Sequence, residues 1–213
     1  MWNWSENQIK IVLIRHGSTR SNQEHRYLGK QDEALCEEGI LKLQLALERA
    51  VYPKTDYVFG SPMRRCVETA KILYPSKEMI VIPEWTEMNF GDFEGKNYIE
   101  LARDERYQEW IDSGGELPFP GGEDRAGFVG RCKKGMYRTM EKLAELENSQ
   151  VRGTLTIGII VHGGTIMALL SSFAGGEYFD YQVSNGNGYR GVLKVKEGRL
   201  EILEIEKLMI ESL

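Results

Sequence analysis

The sequence predicts an α/β fold: a three-layer α/β/α sandwich with a mostly parallel central sheet and a C-terminal hairpin. Short β-branched runs alternate with amphipathic segments over most of the 213 residues, and this alternation is typical of a sheet with helices on both faces. The first run, Ile9 to Ile14, is almost wholly apolar and stops at Arg15-His16-Gly17, as expected for a strand buried on both faces. Neither repeats nor Pro/Ser-rich linkers interrupt the chain, so we expect residues 1–213 to form a single domain.

The next elements are predicted from apolar spacing and from turn residues. Apolar positions at helical spacing indicate a helix over residues 37–50, which ends before a proline. A short strand over residues 57–59 precedes Ser61-Pro62, which we expect to be the N-cap and first-turn proline of a helix that reaches Leu73. The third strand follows at residues 79–82.

The second half of the chain adds helices, one more buried strand and the hairpin. The predicted elements are a helix over residues 99–111, a long amphipathic helix over 122–147, a strand over 154–161, a helix over 165–173, and two alternating runs over 190–195 and 200–205. Only residues 196–199 separate the last two runs, so we expect these runs to pair as the C-terminal hairpin.

The composition argues against several classes of protein. Hydrophobic residues make up 41% of the chain and charged residues 28%, as in ordinary globular proteins. The formal net charge of −5, without a basic stripe, argues against a nucleic-acid partner. No apolar run approaches the roughly 18 residues of a membrane span, and the N-terminal residues do not resemble an export signal. We therefore expect a cytoplasmic protein with no membrane partner.

The cysteines and histidines give no sign of a metal site. Cys36, Cys66 and Cys132 are widely spaced and odd in number, which favours free thiols in a reducing compartment. The three histidines have no spacing typical of zinc ligands, and His25 is expected at the rim of a pocket or in solvent. We expect neither a metal nor a cofactor. The oligomeric state stays open, a homo-oligomer being one alternative.

Three predicted strands end in residues that carry chemistry. Arg15-His16-Gly17 follows the first strand, Ser61-Pro62-Met63-Arg64-Arg65 the second, and His162-Gly163-Gly164 the strand over residues 154–161. Ligands of α/β sheets bind at the carboxyl ends of the strands, so these arginines and histidines are expected to converge there.

Such a set suits phosphoryl transfer. The transferred group carries negative charge, which arginine forks bind two oxygens at a time. A neutral imidazole is a competent nucleophile near physiological pH. A carboxylic acid whose pKa is raised can protonate the leaving oxygen. Taken singly, a histidine at a strand end is more often structural and an arginine more often a surface charge, but their convergence favours the functional interpretation.

Six motifs follow one another along the chain. They are Leu13 to Asn22 for LxRHGxTxxN, Gly29, Asp32, Leu35 and Gly39 for G..D..L...G, Ser61 to Ala70 for SPLxRAxxTA, Glu87 to Gly95 for ExxFGxWEG, Pro120 to Glu123 for PGGE, and Val161 to Gly164 for a second His-Gly-Gly. In residues and in order, the sequence resembles the histidine phosphatase (phosphoglycerate mutase-like) superfamily. Departures are modest: Cys66 replaces an alanine, Ser18 a glutamate or glutamine, and Met167 an arginine.

The resemblance implies a role for each matching residue. His16 would be the phosphorylated nucleophile and Glu87 the proton donor, while Arg15, Arg65 and His162 would bind the phosphate. These five are the candidate catalytic residues. Secondary phosphate contacts are implied for Asn22 and Gly163, and Gly17 is expected to let the chain pass close to the substrate, a small-molecule phosphate ester.

The same site could serve a phosphatase or a phosphoglycerate mutase. Mutases of this superfamily carry a long insertion over the site, whereas residues 96–121 are here a shorter cover segment, which favours a phosphatase. A phosphoglycerate mutase and a non-catalytic phosphate-binding module stay open as alternatives. Tyr107, Trp110 and Phe119 in the cover segment could stack on a ring-bearing leaving group, although core packing is the simpler interpretation.

Overall fold

The computed structural model describes residues 8–147, 153–196 and 198–210, which contain a mixed sheet of six strands. The strands are β1 (Ile9–Arg15), β2 (Tyr57–Gly60), β3 (Met79–Val81), β4 (Leu155–Val161), β5 (Gly188–Lys196) and β6 (Arg199–Leu208). Their order is β3-β2-β4-β1-β5-β6. The first four are mutually parallel, whereas β5 is antiparallel to β1 and β6 is antiparallel to β5. The predicted fold class is confirmed.

Helices pack on both faces of this sheet. They are α1 (Arg20–Gln23), α2 (Glu37–Glu48), α3 (Arg64–Leu73), α4 (Tyr98–Leu101), α5 (Glu105–Asp112), α6 (Arg125–Leu146) and α7 (Gly163–Phe173), with 3₁₀ turns at Pro83–Trp85, Gly91–Phe93 and Tyr178–Tyr181. Alternate side chains of β1 point to opposite faces, so Ile11 and Leu13 pack with residues of α6 and α7, while Val12 and Ile14 pack with residues of α2 and α3. Among the described residues, no helix is long and apolar enough to span a membrane.

The helix after β2 begins later than the Ser61-Pro62 pair predicts. Helix α3 starts at Arg64, and its N-cap, Met63, makes no side-chain capping bond. Ser61 is fully buried, and its Oγ accepts a hydrogen bond from the Met63 N–H at 3.3 Å. Ser-Pro is typical of helix starts and predicts a cap, but the Ser61 hydroxyl here makes its hydrogen bond within the short connection that precedes the helix.

The predicted helix over residues 99–111 is two helices. Asn97 caps α4, and the side chain of Asp104 accepts from the Arg106 N–H and starts α5 afresh. An aspartate that bonds the backbone two residues ahead competes with a continuous helix.

Other boundaries shift by a few residues. Helix α6 begins at Arg125, capped by Asp124, rather than at residue 122. Helix α7 begins at Gly163 rather than 165. The hairpin strands are longer than predicted, and Glu197 of the predicted 196–199 connection lies outside the described residues.

Candidate active site

Adjacent strands bring the predicted residues together. Strands β2, β4 and β1 are neighbours and parallel, so their carboxyl ends lie at one edge of the sheet. His16 follows β1 and His162 follows β4, and their ring centroids lie 5.2 Å apart. Arg65 reaches the same edge from the first turn of α3. The convergence predicted from the strand ends is therefore present.

The environment of His16 leaves one ring nitrogen free to react. Its Nδ1 lies 2.7 Å from the carbonyl oxygen of Gly17. Because a carbonyl only accepts, Nδ1 must carry the proton, and Nε2 then keeps its lone pair. Burial lowers the pKa of His16 well below 6.5, and the positive charges of Arg65 and Arg15 lower this pKa further. His16 is thus held as a neutral imidazole.

Arg15 and Arg65 are held by backbone carbonyls and not by carboxylates. Arg15 Nη1 donates to the Val183 carbonyl at 2.7 Å. Arg65 donates from Nη1 to Gln31 and from Nη2 to Gly29, at 2.8 and 2.9 Å. Among the described residues neither guanidinium has an acidic partner within 4.0 Å, and the Nε of each is buried without a hydrogen bond. Two positive charges therefore remain uncompensated, which favours an anionic ligand.

His162 lies behind the cavity and bridges two other polar groups. Its Nε2 is 2.8 Å from Ser61 Oγ, and its Nδ1 is 3.6 Å from a carboxyl oxygen of Glu87. Burial lowers the pKa of His162 well below 6.5, and Arg65 lowers it further. His162 is fully buried and does not line the cavity described below.

Glu87 has the environment of a carboxylic acid that holds its proton. Burial raises its pKa, and the nearby charge of Arg65 offsets this shift only in part. Its other oxygen accepts a hydrogen bond from the Met88 N–H at 2.9 Å. A Cβ at Gly164 would lie 3.2 Å from this same oxygen, so the glycine leaves the room that the carboxyl group occupies.

Asn22 and Gly163 lie at the cavity wall, and their contacts with phosphate stay a prediction. The side-chain oxygen of Asn22 accepts from the Thr19 N–H and from Asn185 Nδ2, at 3.2 and 3.1 Å, which leaves the amide N–H₂ of Asn22 free to donate. Gly163 is the first residue of α7, where backbone N–H groups have no acceptor within the helix and the helix dipole adds positive charge.

The structure gives Gly17 a role in packing, and its expected closeness to the substrate stays a prediction. Gly17 does not line the cavity. A Cβ at this position would lie 2.7 Å from Leu43 Cδ1 and 3.2 Å from Leu35 Cδ2. The glycine is therefore needed for the packing of α2 beneath the loop, and its N–H donates to Thr69 Oγ1 at 2.9 Å.

The cavity above these groups holds about 650 Å³ and has an aromatic outer wall. The wall residues share apolar ring surface; they are Tyr27, Phe90, Trp110, Phe119, Tyr178 and Phe179. Of the three aromatic residues singled out in the sequence, Trp110 and Phe119 line the cavity, whereas Tyr107 is buried behind them. His25 is exposed and not part of the wall.

Sequence reasoning missed two groups that organise the site. Ser61 was interpreted as a helix cap, yet it bonds His162. Asn185 lies in an Asn-Gly turn that carries no catalytic signal, yet its Nδ2 donates to the carbonyls of His16 and Gly17, at 3.1 and 3.4 Å, as well as to Asn22. Polar contacts between residues so distant in sequence leave no local pattern. No cluster of three metal-ligating side chains occurs within the part of the chain that the structure describes.

Residues 11–207 match the histidine phosphatase superfamily (branch 1), and the chain belongs to this family. The adenosylcobalamin/alpha-ribazole phosphatase of Escherichia coli is 27% identical over 78% of this chain and 80% of its own length. Phosphoserine phosphatase 1 of Hydrogenobacter thermophilus is 28% identical over 59% of this chain and 61% of its own. The prediction of a histidine phosphatase is confirmed for the family and for the enzyme class, phosphoric monoester hydrolase.

Solved structures share the fold over nearly the whole chain. The alpha-ribazole phosphatase of Shigella flexneri superposes with a TM-score of 0.72 over 91% of this chain and 94% of its own, at 24% identity. A phosphoglycerate mutase of Thermus thermophilus superposes with a TM-score of 0.65 over 95% of this chain and 99% of its own, at 27% identity. Proteins named as phosphatases and proteins named as mutases therefore share this fold.

Proposed function

We propose that this protein is a phosphatase that hydrolyses a small phosphate monoester through a phosphohistidine intermediate on His16. The observation that carries the proposal is the state of His16: a neutral ring with Nδ1–H bound to a carbonyl, and a free Nε2 beside two buried guanidinium groups. Among side-chain nucleophiles, a neutral imidazole needs no further deprotonation before it attacks phosphorus.

In the first step, His16 Nε2 attacks the phosphorus atom and the bond from phosphorus to the ester oxygen breaks. Glu87 donates its proton to the leaving oxygen, so that the product leaves as a neutral alcohol. Arg15 and Arg65 stabilise the charge on the equatorial oxygens, together with the first-turn N–H groups of α7. In this proposal His162 donates a hydrogen bond to the phosphoryl group in the transition state, for which its ring turns from Glu87 towards the cavity.

In the second step, water attacks the phosphohistidine. The Glu87 carboxylate accepts a proton from this water, the bond from phosphorus to Nε2 breaks, and inorganic phosphate leaves. Atoms and charge balance over the cycle, and Glu87 and His16 return to their starting states. No metal or cofactor takes part in either step.

The proposed substrate is an ester with a ring-bearing alcohol, with alpha-ribazole phosphate as the first candidate. A volume of about 650 Å³ exceeds what a phosphoryl group needs, and the remaining space is walled by aromatic rings that favour planar, apolar groups. Two stretches, residues 29–39 and 90–95, are similar in sequence to alpha-ribazole phosphatase, and the Escherichia coli relative carries that name. Trp110 and Phe119 belong to residues 96–121, which we propose as the cover segment of one histidine phosphatase domain.

A substrate panel tests this proposal. Phosphate release would be measured from alpha-ribazole phosphate, phosphoserine, p-nitrophenyl phosphate and 3-phosphoglycerate, with interconversion of 2- and 3-phosphoglycerate followed in parallel. We expect the ring-bearing esters to have the highest kcat/KM. Interconversion of phosphoglycerates that is faster than any phosphate release would show a mutase instead, and phosphate binding without turnover of any ester would show a binding module.

A single substitution tests the aromatic wall. Trp110→Ala should raise KM for the ring-bearing esters about tenfold, the equivalent of about 1.4 kcal/mol, and should leave KM for phosphoserine nearly unchanged. Tyr98→Ala is the matched control, because Tyr98 is an exposed aromatic residue of the same segment that does not line the cavity. Equal changes in KM for all esters would contradict a ring-binding role.

A further inference from the structure

The proton donor of the proposed reaction lies on a segment without regular structure. Residues 86–90 separate the 3₁₀ turns Pro83–Trp85 and Gly91–Phe93. Backbone groups in such a segment have neither a helix nor a strand partner, so their hydrogen bonds must come from elsewhere. The position of the Glu87 carboxyl therefore depends on whatever holds this stretch of backbone.

Arg131 of α6 supplies these bonds from one side. Its Nη1 donates to the carbonyls of Glu84 and Thr86, at 2.8 and 2.7 Å, and its Nη2 lies 3.4 Å from the carbonyl of Glu87 itself. One side chain thus contacts three carbonyls in four consecutive residues. A planar fork with five N–H donors can do this, whereas an ammonium group is a single point of charge.

Glu123, the acidic residue of the PGGE motif, holds both the arginine and the far end of the segment. Its carboxylate accepts from Arg131 Nε at 3.0 Å and from Nη2 at 2.7 Å. The same carboxylate accepts from the Asn89 N–H at 2.9 Å, and the Glu123 N–H donates to the Asn89 carbonyl at 2.9 Å. Contacts of this pair therefore lie on both sides of Glu87.

The packing beneath the segment continues the same arrangement. Trp85 is fully buried, and its Nε1 donates to the Cys132 carbonyl of α6 at 3.2 Å. A Cβ at Gly135 would lie 2.4 Å from Trp85 Nε1, so this glycine allows the ring to lie directly on the helix. Consecutive turns of α6 thereby hold the start of the segment, and the Arg131–Glu123 pair holds the rest.

We infer that Arg131 and Glu123 are positioning residues for Glu87, which fix the backbone of residues 84–89 so that the carboxyl group faces the leaving oxygen. The inference rests on the proposed role of Glu87 as proton donor. It assigns a role in the reaction to the PGGE glutamate. A displacement of about 1 Å in a catalytic group can cost about 10²-fold in rate, so loosening this pair should affect proton donation before it affects binding.

The test compares two ring-bearing esters that differ in their leaving groups. p-Nitrophenolate leaves without protonation, whereas the alkoxide of benzyl phosphate needs a proton. Steady-state kcat/KM, which reports steps up to the first phosphoryl transfer, would be measured for both esters in Glu123→Gln and Arg131→Lys. Arg138→Lys is the matched control, since Arg138 lies on the same helix but, within the described part of the chain, pairs with the side chain of Glu84, at 2.8 Å, and not with the backbone of the segment. Glu87→Gln gives the reference for a missing proton donor.

We expect Glu123→Gln and Arg131→Lys to lower kcat/KM for benzyl phosphate about tenfold or more, and for p-nitrophenyl phosphate less than about threefold, with little change in KM. The control should change neither by more than about twofold. Equal losses on both esters, or no loss, in folded Glu123→Gln enzyme would overturn the inference, even if Arg131→Lys fails to fold. If Glu87→Gln itself shows no preference between the esters, the proposed acid role fails instead. Circular dichroism and thermal unfolding identify the folded variants.

Discussion

Ser61→Ala should lower both the stability and the turnover of this protein, although Ser61 is not one of the reacting groups. The serine is fully buried, and its Oγ lies 2.8 Å from His162 Nε2 and 3.3 Å from the Met63 nitrogen. Alanine keeps the Cβ and adds no bulk, so the substitution removes two hydrogen bonds and little else. A buried backbone N–H is then left without a partner, and the buried ring nitrogen keeps only a long contact to Cys66 Sγ, at 3.8 Å.

The magnitude follows from these two groups. A buried polar group without a partner costs about 1–3 kcal/mol, and the longer contact to the Met63 nitrogen belongs at the weak end of this range. We expect the free energy of unfolding to fall by about 2–4 kcal/mol, a substantial part of the roughly 5–15 kcal/mol of a typical domain. The Ser61 hydroxyl also orients the imidazole of His162 through its contact with Nε2, so we expect kcat to fall about tenfold, the equivalent of about 1.4 kcal/mol.

Urea denaturation and steady-state kinetics measure the two effects separately. Ser171→Ala is a suitable control, because Ser171 Oγ donates to the Met167 carbonyl inside α7 at 2.8 Å, and this carbonyl keeps its helical partner. The control should change the free energy of unfolding by less than about 0.5 kcal/mol. A Ser61→Ala variant with the stability and kcat of the parent would refute the assigned role of the serine.

The remaining predictions concern charge and accessibility. Activity should persist well below pH 6.5, because His16 stays neutral there. It should decline as pH rises and Glu87, whose pKa is raised, loses its proton. In pH profiles, kcat/KM should show this alkaline decline for benzyl phosphate but not for p-nitrophenyl phosphate. An acid limb near pH 6.5 that remains after kcat/KM is corrected for the ionisation of the free ester, whose second pKa is about 6, would contradict the neutral state of His16. Arg65→Lys keeps the positive charge but loses the two hydrogen bonds to loop carbonyls. The inhibition constant for inorganic phosphate should therefore rise about tenfold or more, and an unchanged constant would exclude Arg65 from the phosphate site. Burial raises the pKa of the Cys66 thiol to about 12, so iodoacetamide at pH 8 should alkylate Cys66 only after unfolding. The half-buried Cys36 should react in the folded protein, and peptide mass spectrometry would distinguish the two sites.

The strand ends could be predicted from the sequence because their signals are local. The run from Ile9 to Ile14 is apolar except for Lys10, and Arg15 after it marks the end of the strand. Once parallel neighbours are expected, the convergence of His16, Arg65 and His162 follows from topology. Glu87 differs, because no strand end marks it, and its candidacy came from the family resemblance alone.

The groups that support these residues could not be predicted, since their contacts join positions that are far apart in sequence. Asn185 bonds His16 and Asn22, which precede it by more than 160 residues, and Arg131 bonds a segment more than forty residues earlier in the chain. The Ser61 assignment failed for a related reason: Ser-Pro satisfies the local preference for a helix start, but a buried imidazole without a partner costs more than an uncapped helix end. The conformation at Ser61 therefore follows from its tertiary hydrogen bond to His162 and not from the local helix-start preference.

A rapid-quench experiment shows whether the phosphoryl group passes through His16. The enzyme would be mixed with p-nitrophenyl phosphate, quenched in alkali, in which phosphohistidine survives, and digested for peptide mass spectrometry. We expect one added phosphoryl group on the peptide that contains His16, and none in His16→Ala, a variant that should remain folded but inactive. Turnover by His16→Ala, or a phosphoryl group on a different residue of the active parent enzyme, would contradict this route through His16.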